Sequence, residues 1–75
     1  MTNNNEPIVL GLQETWEERL IQDRNELYAK IEILRKTVAN FPNNISNNQR
    51  QLLRDQLKIM TDLLCILEAR ISSMY

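Results

Sequence analysis

The sequence predicts an all-α protein: an antiparallel two-helix hairpin with a short N-terminal arm, assembled into a helical oligomer. Three observations predict it. Two long segments carry apolar residues at alternating steps of three and four, the spacing that makes one face of a helix. Between them, Asn40-Phe41-Pro42-Asn43-Asn44 supplies a break and turn chemistry in very few residues, and connections that short join antiparallel neighbours. The second segment carries more apolar surface than one partner helix can cover.

The second helix is expected over 46–74. Ser46 followed by Gln49 fits a capping box, in which the hydroxyl takes an orphan backbone N–H and the Gln reaches back. Leu53, Leu57, Met60, Leu64, Leu67, Ile71 and Met74 form its seam. Leu52, Ile59, Leu63 and Ile66 form a second line, roughly 100° round the helix. The two lines together cover near half the circumference, which predicts burial once inside the chain and once between subunits.

Ahead of the hairpin, the arm at 1–12 starts polar and asparagine-rich, then turns apolar at Ile8, Val9, Leu10 and Leu12 around the only glycine, Gly11. It reads as a segment folded over the hairpin, or one that crosses to a neighbouring subunit or lids a pocket. The first helix is expected over 13–40, with Glu14, Glu17 and Glu18 beside the positive end of its dipole. Its seam is Trp16, Leu20, Leu27, Ile31, Leu34, Val38 and Phe41. The turn follows over 41–45, because the residue before a proline is pushed out of the α region and Pro42 donates no backbone bond. Phe41 and Ile45 flank that proline and are expected to close the apolar end of the hairpin. Both arms are about 40 Å long at 1.5 Å per residue, so they pair along nearly their whole length.

Composition narrows the function. A chain of 75 residues is one domain at most, and at this size only about 60% of the unfolded surface is buried, so assembly is a common source of extra stability. The formal net charge is −1, with no block of basic residues, which argues against bulk nucleic acid and anionic membrane as partners. Cys65, the single cysteine, fits a reducing cytosol and is expected to be a small buried hydrophobe. No run of about 18 apolar residues and no signal-like leader is present, which predicts a soluble cytoplasmic protein. With no histidine, one cysteine and one glycine, the usual zinc sets, Ser-His and Cys-His pairs and Gly-rich phosphate loops cannot be assembled. The carboxylates lie among Lys and Arg on helix faces and read as ion-paired surface. The chain reads as a non-enzyme without cofactor or metal.

One position breaks the first seam. Arg24 stands where an apolar residue should continue the line of Ile31 and Val38, and Ile21, Tyr28 and Arg35 occupy the flank beside it. Guanidinium forks and a ring to stack on are what a phosphate and a nucleobase require. Arg24, Tyr28 and Arg35, with Trp16 and Arg19 nearby, are therefore the candidate ligand-binding residues. The alternative is structural: Arg24 snorkels or pairs with Asp23, Glu17 or an acid of the second helix, and Tyr28 packs an interface.

The order of landmarks from Arg19-Leu20 through Phe41, Gln49-Arg50-Gln51-Leu52-Leu53, Gln56-Leu57, Met60, Ile66-Leu67 and Arg70-Ile71 resembles a group of very small bacteriophage proteins. Their second helix reads L-L-x-x-Q-L-x-x-M-x-x-Y-x-x-I-L-x-x-R, and Leu63 stands at the tyrosine position. In architecture the hairpin is similar to the phage sponge proteins of the anti-CBASS and anti-Thoeris class. That resemblance implies a homo-oligomer in the infected bacterial host, binding a cyclic oligonucleotide or cyclic ADP-ribose-type ligand without cleaving it. The rival expectation is a structural or protein-binding oligomerisation module, an adaptor or inhibitor.

Overall fold

The computed structural model describes residues 15–74, which form two helices joined by one turn: α1, Trp16–Ala39, and α2, Asn47–Ser72. The expected arm at 1–12, residues 13 and 14, and Tyr75 lie outside the described residues. Among the described residues there is no strand.

Both helix starts are written in the local sequence. The Thr15 hydroxyl accepts from the Glu18 N–H at 3.1 Å, and the Glu18 carboxylate accepts from the Thr15 N–H at 2.9 Å. This reciprocal capping box sets the first residue of α1, and Glu17 and Glu18 complement the dipole there. At α2 the Ser46 hydroxyl accepts from the Gln49 N–H at 3.1 Å. Only the serine half of the expected Ser46–Gln49 box is formed. Helix α1 stops at Ala39, one residue before its expected end, with the Asn40 N–H shared between the carbonyls of Lys36 and Thr37. Pro42 then blocks continuation.

The helices pack side by side, and their seams meet. Leu20 and Ile31 of α1 and Leu64 and Leu67 of α2 are buried, Ile31 completely. Leu27, Leu34, Val38, Phe41, Leu53, Leu57, Met60, Ile71 and Met74 are half-buried around them. Two helices cannot enclose more, because each side chain on the seam edge has a neighbour on one side only.

Two seam assignments are corrected by the packing. Trp16, placed at the head of the first seam, is 62% exposed. It is the first residue of α1, at the open end of the hairpin, where among the described residues the last turn of α2 lies beside it. Cys65, expected to be buried, is exposed. It follows the buried Leu64 directly, and one residue is about 100° of rotation, enough to carry it off the seam.

The second apolar line of α2 is uncovered within a single hairpin. Leu52, Ile59, Leu63 and Ile66 are 45–67% exposed, and Ile33 of α1 is 69% exposed. The adjoining Lys30, Leu34, Thr37, Gln56 and Met60 line a shallow groove with Ile33, which puts Ile33 on the same side of the hairpin as that line. That side of the hairpin therefore carries an exposed apolar line along α2 with Ile33 beside it. The opposite face carries Arg24, Tyr28 and Arg35 of α1 and Glu68 of α2. No described helix is long and apolar enough to cross a membrane.

Candidate ligand-binding flank

Each group on the flank is positioned by its helix. Residues four apart on a helix lie about 40° from each other, so Arg24 and Tyr28 are stacked neighbours, and Arg35 follows two turns on. The Arg24 guanidinium carbon lies 5.9 Å from the centre of the Tyr28 ring, within cation–π range. Tyr28 is half exposed, at 49%.

Arg24 does not point freely into solvent. Its Nε and Nη2 both donate to Glu68 Oε2 of α2, at 3.4 and 3.2 Å, and its Nη1 donates to Asn25 Oδ1 at 2.9 Å. The two side chains are 39% and 43% exposed, so water screens the pair and its net worth is in the range of about 0–1 kcal/mol. Both contacts of Glu68 use a single oxygen. The pair is thus a weak clamp and not a bidentate fork. Ile21, Arg24, Glu68, Ile71 and Ser72 line an open groove of about 430 Å³ at this point.

The five residues singled out from the sequence do not form one cluster. Arg24 and Tyr28 are in contact. Arg35 lies on their side of α1 but is engaged by Glu32 at 3.8 Å. Arg19 pairs with Asp23 at 3.3 Å and, nine residues before Tyr28, faces about half a turn away from it. Trp16 lines a separate open groove of about 470 Å³ with Ile66, Ala69, Arg70, Ser73 and Met74, at the free end of the hairpin on the side of the apolar line. A single hairpin gives an Arg–Tyr flank, and Trp16 and Arg19 stand apart from it.

The alternative expectation, that Arg24 pairs with an acid of the second helix, is met by Glu68, whose place opposite Arg24 follows only from the antiparallel register. Sequence reasoning missed the surroundings of Phe41. Phe41, read as an apolar staple with Ile45, is half-buried beneath two guanidinium groups of α2. The carbons of Arg50 and Arg54 lie 5.6 and 5.2 Å from its ring centre. The available signal was the spacing of those arginines: four apart on α2, they share a side, and the short turn brings Phe41 back onto it.

No curated protein and no solved structure matches the chain. The profile of one protein family, Sequestin, matches residues 14–73, nearly the whole hairpin, and the family name speaks of sequestration of a molecule. The chain, an all-helical hairpin with an Arg–Tyr flank, belongs to the Sequestin family.

Proposed function

We propose that this hairpin binds and sequesters a cyclic nucleotide-type signalling molecule, a cyclic oligonucleotide or a cyclic ADP-ribose-type ligand, and releases it unchanged. The observation that carries the reading is the Arg24 guanidinium over the half-exposed Tyr28 ring, which sets a phosphate fork beside a stacking surface. Family membership supports sequestration in general, and the resemblance to phage sponge proteins supports immune evasion in the cytoplasm of an infected bacterium as its setting. The absence of cleavage is part of the proposal; a chain with no histidine cannot build a Ser-His or Cys-His pair.

A flank this open holds a ligand weakly, because tight sites bury most of the ligand surface. Self-association through the exposed line Leu52, Ile59, Leu63 and Ile66 is the proposed remedy, bringing copies of the flank together by symmetry. Calorimetric titration with cyclic dinucleotides, cyclic trinucleotides and cyclic ADP-ribose isomers tests the reading. Saturable heat with one class, and recovery of that ligand intact after denaturation, is expected. If none of these ligands binds, the sequestration reading fails for this chemistry.

The same apolar line favours a second reading, a structural or protein-binding oligomerisation module that acts as an adaptor or inhibitor. The two part at Arg24. Replacing it by Leu abolishes ligand binding on the first reading and simply stabilises the hairpin on the second.

A further inference from the structure

The turn end of the hairpin holds a second arrangement of cations, distinct from the Arg24–Tyr28 flank. Arg50 and Arg54 lie one turn apart in the first two turns of α2, and both guanidiniums sit over the Phe41 ring, at 5.6 and 5.2 Å from its centre. The three arginines of α1 are each engaged by a carboxylate, Arg19 by Asp23, Arg24 by Glu68 and Arg35 by Glu32. Among the described residues no carboxylate meets Arg50 or Arg54. Arg50 Nε is in addition buried and without a hydrogen-bond partner.

Packing on the ring does not account for that Nε. Stacking engages the π face of a guanidinium and leaves its N–H edge to find acceptors elsewhere. A buried donor left unmatched is costly, and more so on a charged group. Two like charges anchored on one ring also repel. An anion at the open N–H edges of the two guanidiniums relieves the repulsion, and Arg54, which is exposed, leaves it a way in. The first turn of α2 carries no acidic residue, and the exposed turn residues Asn43, Asn44, Asn47 and Asn48 are uncharged. The helix dipoles contribute little, because the negative end of α1 lies beside the positive end of α2.

From Tyr28 to Phe41 is thirteen residues, about 20 Å of helix at 1.5 Å per residue, so the two loci are separate sites within one chain. We propose that Arg50 and Arg54, held over Phe41, form a phosphoryl-oxyanion site at the turn end of the hairpin, taking a free phosphate or a phosphate group of a larger ligand through paired N–H···O bonds. The inference is independent of the reading of the Tyr28 flank, since its probe is phosphate and its readout is at the arginines themselves.

The test is a nuclear magnetic resonance titration of the uniformly ¹⁵N-labelled full chain, following the arginine Nε–Hε signals with sodium phosphate, dimethyl phosphate and, at matched ionic strength, sodium chloride. Arg50→Lys and Arg54→Lys single variants assign the two signals. A saturable shift of both is expected with phosphate, half complete below about 10 mM, as suits a charge-assisted pair of donors at an open site. Saturation with dimethyl phosphate as well means that the site accepts a phosphodiester, and saturation with phosphate alone restricts it to free phosphate or a monoester. The double Arg50→Lys, Arg54→Lys variant keeps the charge and loses the forks. Its affinity, followed by backbone amide shifts at the turn, is expected to fall at least fivefold, by analogy with other fork-dependent sites. Equal, non-saturating shifts with phosphate and chloride indicate screening only and overturn the proposal, as does unchanged phosphate affinity in the double variant. The wild-type titration decides the matter alone if that variant does not fold.

Discussion

Arg24 of α1 and Glu68 of α2 join the two helices across the flank, with both Nε and Nη2 of the arginine on one carboxylate oxygen, Oε2, at 3.4 and 3.2 Å. The pair neutralises the arginine that the proposed ligand requires. On the proposed reading a phosphate displaces Glu68 as it binds, and the carboxylate competes with it.

Glu68→Gln removes the competing charge and keeps the shape. Affinity for the phosphorylated ligand is expected to rise about three- to tenfold, with a change in stability under about 1 kcal/mol, the usual worth of a solvent-screened pair. Calorimetry and chemical denaturation measure the two quantities on the same sample. Weaker binding in the variant would mean that Glu68 assists the ligand and does not compete with it.

Arg24→Ala is expected to lose about 1.5–3 kcal/mol of ligand binding, tenfold or more in Kd. Tyr28→Ala is expected to lose about 1–3 kcal/mol through the missing stacking surface. Both variants should keep the helical circular dichroism of the parent, because neither residue is among the buried core. Loss of helicity in step with loss of binding would assign these residues to structure.

Among the described residues Ile31 is the one completely buried side chain, whereas Ile33, two residues on, is 69% exposed. Ile31→Ala is expected to cost about 2–5 kcal/mol, enough to unfold much of a hairpin this small. Ile33→Ala should stay within about 0.5 kcal/mol if the apolar face is open in solution. A large cost at Ile33, growing with protein concentration, would show that this face is covered by another copy.

Ile59 is 67% exposed in the single hairpin and Ile66 57%. Light scattering at micromolar concentration is expected to report a dimer or larger. Ile59→Lys should shift that mass toward the monomer, because an unpaired charge desolvated at an interface costs several kcal/mol. A parent protein that is monomeric and fully folded at those concentrations contradicts the assembly and, with it, a site closed between subunits.

Phe41→Ala bears on the turn. Full burial of that ring would cost about 3 kcal/mol or more on truncation, but Phe41 is half-buried and capped by two guanidiniums. A loss of about 1–2 kcal/mol is expected from the lost packing together with two cation–π contacts of about 0.5–1 kcal/mol each. Melting curves at low and high salt separate the parts, since the cation–π share weakens with screening and the packing share does not.

The helices, the turn and most of the core were legible in the residues themselves. The periodicity of Leu20, Ile31, Leu64 and Leu67 places each on a seam whatever the partner is, because helical rotation per residue is a local property. Ser46 and Pro42 likewise act through bonds and clashes within a few residues of themselves. Thr15 and Glu18 carried an equally local signal for the start of α1, a second capping box in the sequence. What only the tertiary structure decided depends on register between the helices and on where each helix ends. The offset of two antiparallel helices sets Glu68 against Arg24 and Phe41 beneath Arg50 and Arg54, and no spacing within one helix encodes that offset. Trp16 has the right period for the seam and is exposed because, among the described residues, only the last turn of α2 lies beside it. Cys65 is apolar enough for burial, but the angle it subtends from the partner helix, one residue past Leu64, leaves it in solvent.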